Sequence, residues 1–187
     1  METLFETFKA RAEAVSAEVH RLATQREAFD FVINLLQEQG VEDVPGRGAI
    51  WADGTILKGF GKKYLANEAP CLSFEITRQA AADAKVGISQ ADWAVAATGT
   101  LVVDAAQVEQ RLVSTLPSIH VALVGTSRLR ADLPTVLKQL HPSQTGYISL
   151  ITGPSRTADI ERVLTIGVHG PERLIIVFVD ELERGNA

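Results

Sequence analysis

The sequence predicts an α/β protein: a largely parallel sheet covered on both faces and preceded by an N-terminal helical arm. Three observations predict it. Near-continuous apolar runs at Ile119–Val124 and Leu174–Val179 have the composition of strands buried on both faces. Helical patterns separate such runs, and strands that alternate with helices build βαβ units. Residues 1–39 carry apolar positions at spacings of three and four, the helical period.

The arm comes first. Leu4, Phe5, Phe8, Ala12, Val15, Val19 and Leu22 recur at helical spacing, with charges between them. Phe29, Val32, Ile33, Leu35 and Leu36 form a second such set, and Gly40 is placed to end it. The arm over 1–40 therefore reads as a helical hairpin, serving either to cover the core or to dock a partner. Pro45, Gly46, Gly48, Gly54, Gly59 and Gly61 punctuate residues 41–70, which predicts a solvated loop around a short strand at Ala49–Trp51. Lys58, Lys62 and Lys63 lie among these glycines. Such a loop can cradle an anion, but the spacing matches neither a Walker A loop nor GxGxxG.

From residue 71 onward strand-like and helical stretches alternate. Ala91–Ala97 and Leu101–Val103 are apolar and flank Thr98-Gly99-Thr100. Leu129–Leu140 reads as an amphipathic helix with Pro134 in its first turn. Tyr147–Ile151 reads as a strand, and a helix is expected from near Thr157 with Ile160, Val163 and Leu164 on one face. Leu174–Val179 closes an α/β domain spanning 41–187.

Composition excludes several function classes. Of 187 residues, 46% are apolar and 22% charged, as in a soluble globular chain. Lys and Arg number 18 against 23 Asp and Glu, a net charge of −5, which does not attract nucleic-acid phosphates. One cysteine, Cys71, allows neither an intrachain disulfide nor a thiolate-held zinc or iron–sulfur site built from these residues alone; it is expected as a small buried apolar group. No apolar run approaches the ~20 residues that span a bilayer, and the first twenty residues lack a signal-peptide core. The expected location is the cytoplasm, without membrane or nucleic-acid partners. No His-x-x-x-His pattern or carboxylate cluster suggests a metal.

Ligands of open parallel sheets bind beyond the carboxyl ends of the strands. Thr98-Gly99-Thr100 and Thr152-Gly153-Pro154-Ser155-Arg156-Thr157-Ala158-Asp159 are expected at such ends. Gly153 permits a tight turn and Pro154 fixes the next φ. Ser155 or Thr157 can cap the expected helix, whose free N–H groups favour an anionic oxygen. Arg156 can clamp a carboxylate or phosphate with two parallel bonds. Asp159 either complements the helix dipole, orients Arg156 or holds a substrate hydroxyl. His169, in Gly167-Val168-His169-Gly170-Pro171, has the pKa range for proton transfer. His120 reads as structural. The bland alternative for Ser155, Thr157 and Asp159 is capping alone.

These segments occur in a recognisable series: Thr98-Gly99-Thr100, Arg111, Ser114-Thr115-Leu116-Pro117, His120, Gly153 through Glu161, and Gly167 through Pro171. From about residue 85 to 180 the chain resembles the lactate-utilisation protein C family, whose shared unit is the LUD domain. The resemblance implies a three-layer α/β/α fold similar to the sugar-phosphate isomerase and CoA-transferase superfamily. It implies a role in oxidising L-lactate to pyruvate beside an iron–sulfur partner that carries the electrons, with no cofactor in this chain. One departure stands out. Family members usually carry Glu or Asp before the TGT, and this chain has Ala97.

Three functions follow for comparison. The first is a subunit of an L-lactate-oxidising system that binds a small 2-hydroxy or 2-oxo carboxylate. Its substrate-binding residues would be Thr98, Gly99, Thr100, Gly153, Ser155, Arg156 and Thr157, with His169 and Asp159 as the catalytic pair. The second is a stand-alone isomerase- or CoA-transferase-like enzyme acting on a phosphorylated or CoA-linked substrate. It needs a carboxylate that Ala97 does not supply. The third is a pure assembly subunit that docks through the arm.

Overall fold

The computed structural model describes residues 2–58, 61–140, 145–158, 164–166 and 170–182. The first helix, α1 (Glu2–Glu13), buries Phe5, Phe8 and Ala12. It ends because Ser16 takes a positive φ of 70°, which turns the chain back into strand β1 (Ala17–Leu22). Helix α2 (Gln25–Glu38) opens with a capping box. Thr24 accepts from the Glu27 N–H, and the Glu27 carboxylate accepts from the Thr24 N–H. It closes in a Schellman turn: with φ at 60°, Gly40 donates to the Gln37 carbonyl, and Val41 to that of Leu36.

The remaining elements follow in order. Strand β2 (Gly48–Trp51) leads through a 3₁₀ turn at Thr55–Leu57 to α3 (Gly61–Glu68) and β3 (Leu72–Ser73). Next come α4 (Arg78–Asp83), β4 (Ala84–Gln90), β5 (Trp93–Val95), β6 (Thr100–Asp104) and α5 (Val108–Thr115). Strand β7 (Ile119–Gly125), β8 (Leu129–Arg130), α6 (Leu133–Leu137) and β9 (Ile148–Ile151) precede β10 (Arg156–Ala158), β11 (Leu164–Ile166) and β12 (Arg173–Val179).

The central sheet has six strands in the order β1-β12-β7-β4-β2-β3, and every pairing is parallel. This is the α/β architecture expected from the buried apolar runs. Alternate side chains of β12 serve two cores. Ile175, Val177 and Val179 pack with α2 and α3, in a cluster that includes Phe29, Leu36, Trp51 and Leu65. Leu174, Ile176 and Phe178 face the other way, toward Phe5 and Phe8. The Phe178 ring meets these two edge-on, at centroid distances of 5.3 and 5.0 Å.

A second sheet of four strands, β8-β5-β6-β9, packs on the α1 side. Its β5–β6 and β6–β9 pairs are antiparallel and β5–β8 is parallel. The segments on either side of Thr98-Gly99-Thr100 thus belong to one hairpin, not to separate strands of a parallel sheet. Their apolar composition does not distinguish the two arrangements.

Four local expectations are corrected. Residues 17–22 are strand, because Ser16 breaks the helix and β12 offers a parallel partner along the whole segment. Residues 61–68 are helix, not loop. Leu65 supplies the buried anchor, and Gly61 lets the helix approach Phe29, whose Cζ would lie 3.0 Å from an added Cβ. The helix expected over 129–140 shrinks to Leu133–Leu137, started by the Asp132 cap and Pro134, while Leu129 and Arg130 pair with β5. Residues 156–158 and 164–166 are antiparallel strands where a helix was expected, consistent with the β-branched Thr157, Thr165 and Ile166. Ile160 and Val163 lie outside the described residues. Cys71 is half-buried, and burial raises its thiol pKa.

Candidate functional site

The two segments singled out from sequence meet at the carboxyl end of α1. The β5–β6 turn carries Gly99 at φ 64°, and a Cβ there would lie 2.5 Å from the Ala12 amide nitrogen. Only glycine allows this turn to seat on α1. Register does the rest. Leu101 pairs with Ile151 across β6 and β9, so Thr152 falls beside Thr100. The Thr100 hydroxyl lies 2.7 Å from that of Thr98 and 2.7 Å from that of Thr152. Three hydroxyls form a chain, with Thr100 buried and Thr98 exposed.

Past Thr152 the backbone turns at Gly153, φ 74°, where an added Cβ would lie 2.7 Å from the Val15 carbonyl oxygen. The Ser155 N–H donates to the Pro171 carbonyl at 2.8 Å. A Cβ on Gly170 would approach Ser155 Cβ to 3.0 Å. The end of the GVHGP segment therefore rests on the GPSR segment. Arg156 closes the cluster by donating to the Ser16 hydroxyl at 2.8 Å.

This geometry changes several expected roles. Thr98-Gly99-Thr100 sits in an antiparallel turn, not at the carboxyl end of a parallel strand. Gly99 and Gly153 make room for backbone from the end of α1, which a side chain would fill. Ser155 precedes a strand, so no helix start offers its N–H groups to an anion. Thr157 lies in β10 opposite Thr165. Arg156 remains an exposed cation, bonded to Ser16 just past the end of α1. Asp159 and His169 lie outside the described residues. Ala97 is exposed and donates its N–H to the Ala131 carbonyl at 3.0 Å.

Other residues of the series hold the scaffold. Arg111 donates to the carbonyls of Ala105 and Ala106 and lies over the Tyr147 ring, 5.0 Å from its centroid. The Ser114 and Thr115 hydroxyls turn back onto carbonyls of α5. His120 is buried in β7, with Nε2 2.8 Å from the Ser89 hydroxyl and no partner at Nδ1 among the described residues. Burial lowers its pKa to about 4, so the ring is neutral at pH 7. Sequence reasoning missed Ser16, whose place in the cluster depends on a positive φ, and Ser89, whose only signal is a polar residue within an apolar strand.

A family model of the LUD domain matches residues 5–179. The chain belongs to the LUD domain family. This LUD domain is 36% identical over 107 residues to "Lactate utilization protein C" of Halalkalibacterium halodurans, covering 54% of this chain and 46% of that protein. The protein of the same name from Exiguobacterium is 37% identical over 115 residues, with 58% and 50% covered. "Uncharacterized protein YkgG" of Escherichia coli is 27% identical over 172 residues, with 86% and 72% covered. The matched stretch spans about half the length of the first two of these relatives. Among solved structures, a DUF162 family protein from Deinococcus radiodurans superposes with a TM-score of 0.62 at 16% identity, over 95% of this chain and 97% of that one. That likeness establishes a shared fold. Among the described residues no helix is long and apolar enough to cross a membrane, and no group of three His, Cys, Asp or Glu is placed to hold a metal ion.

Proposed function

We propose that this LUD domain serves lactate utilisation as a subunit that binds a small 2-hydroxy or 2-oxo carboxylate and works beside an iron–sulfur protein. Family membership and the names of the matched relatives support the process. The observation that carries the binding role is the meeting of Thr98, Thr100, Thr152 and Arg156 at the end of α1. A 2-hydroxy acid presents one carboxylate and one hydroxyl. Among the described residues Arg156 bonds through one nitrogen to Ser16, which leaves donors enough to take a carboxylate. The exposed Thr98 hydroxyl, polarised through Thr100 and Thr152, can donate to or accept from the substrate hydroxyl.

Oxidation of lactate to pyruvate releases two electrons and two protons. With one cysteine among its 187 residues, the chain supplies no thiolate set for a cluster, so the electrons go to the partner. His169 and Asp159 remain the proposed proton acceptors.

The experiment is thermal unfolding with L-lactate, D-lactate and pyruvate, for the native protein and Arg156→Ala. A ligand at a hundred times its Kd raises the Tm of a domain this size by about 5–10 °C. A shift with L-lactate or pyruvate that disappears in Arg156→Ala is the expected result. No shift with any of the three acids, alone or with the iron–sulfur partner added, overturns the binding role.

A further inference from the structure

A cavity of about 450 Å³ opens beyond the carboxyl ends of β2 and β3. Residues that follow β2, residues that follow β3 and the first turn of α5 wall it. No residue of the Thr98–Arg156 cluster lines it. Its position is where parallel sheets bind ligands, and its volume falls in the roughly 300–1,000 Å³ range of organic-ligand sites. A three-carbon acid would leave most of it empty.

The walls differ in chemistry. Lys58 contributes an ammonium. Gln107 precedes α5 without a side-chain capping bond, so among the described residues no side chain caps the positive end of that helix at the same cavity. The opposite sign is present too. Glu109 lines the cavity, and so does Asp53, whose carboxylate meets the Lys62 ammonium at 3.1 Å. Gln110 donates its amide to the Asp53 carbonyl at 2.8 Å, which identifies the other end of the amide as oxygen. That Oε1 is buried and has no partner among the described residues. It is closed off from the cavity as well, which leaves the Glu109 carboxylate to accept from a ligand. Phe74 and Ile76 complete the lining with an apolar surface.

A matching ligand needs an anionic group, at least two hydroxyl donors and a flat apolar body. We propose that this cavity binds a ribonucleotide. Its phosphate meets Lys58 and the start of α5. Its ribose hydroxyls donate to the two oxygens of the Glu109 carboxylate, and its base lies against Phe74 and Ile76. The carboxylates select against plain anions and in favour of anions that carry hydroxyls.

The test uses AMP on the full chain, read by thermal shift and titration calorimetry, with inorganic phosphate, adenosine and L-lactate as comparators. AMP at saturating concentration should raise the Tm by about 5–10 °C and exceed adenosine or phosphate alone. Lys58→Gln should weaken AMP binding about ten-fold. Ile76→Trp, which fills the cavity, should abolish it. Arg156→Ala should leave AMP binding unchanged, so this result and the lactate result stand or fall separately. Lys58 is exposed, so its replacement does not threaten folding. The absence of a shift with AMP, GMP, CMP and UMP at millimolar concentration overturns the proposal. So does AMP binding that Lys58→Gln leaves unchanged.

Discussion

His120 should make this protein lose stability in mild acid, by an amount that follows from its burial. The ring is enclosed in the central sheet, bonded through Nε2 to Ser89, and its pKa falls from 6.5 to about 4. The unfolded chain binds a proton there below pH 6.5, and the folded chain does not until near pH 4. Protons therefore favour the unfolded state, and the loss begins as pH falls through 6.5 and is complete below 4. At pH 5 an ordinary histidine is almost fully protonated and His120 is about one-tenth protonated, a difference of about 2 kcal/mol in folding free energy. Relative to pH 7.5, that is about 4–8 °C of Tm for a domain this size. The assay is urea unfolding of the native protein and His120→Gln at both pH values. Carboxylates with displaced pKa values titrate in both proteins. Among them, burial raises that of Asp92, while that of Asp180, despite opposing burial, is lowered by bonds from Arg21 and Thr126. Their effects cancel in the comparison. The native protein should lose about 2 kcal/mol more than the variant. Equal losses would show that His120 is protonated in the fold, refuting the reasoning.

Two other perturbations test the architecture around the site. Gly99→Ala forces a side chain into a positive φ and places its Cβ 2.5 Å from the Ala12 nitrogen. Strain and overpacking together should cost about 2–5 kcal/mol in urea unfolding, and a change within 0.5 kcal/mol would show that the turn does not bear on α1. Thr24→Ala removes the acceptor for the Glu27 N–H and should cost about 1 kcal/mol, or roughly 2–4 °C of Tm, while Thr24→Ser should retain most of it.

Much of the fold was legible where one residue property decided the outcome. Ile119–Val124 is apolar but for His120 and Leu174–Val179 is apolar throughout, and only strands with both faces covered use such runs economically. The α2 helix was legible because its apolar spacing and its terminal glycine agree. Residues 17–22 misled because Val15, Val19 and Leu22 fit helical spacing while Ala17 and Val19 fit strand spacing. The segment from Gly153 misled because a Gly-Pro-Ser turn precedes helices and strands alike. For the site, the important segments were identified but not the way they are joined. Ser16 enters the cluster through backbone conformation. Thr100 and Thr152 are 52 residues apart and meet only through the β6–β9 register.

The sequence by itself determined which stretches are buried on two faces, where α2 ends, and which family motifs are present, because these depend on local residue type and spacing. Only the tertiary structure decided the rest. It placed β1 at the edge of the central sheet, folded the TGT segment into a second sheet, and brought threonine hydroxyls, Ser16 and Arg156 together. These features depend on pairings between distant segments. A strand's backbone donors and acceptors are alike whichever partner they meet, so the choice is made by what the whole chain can bury.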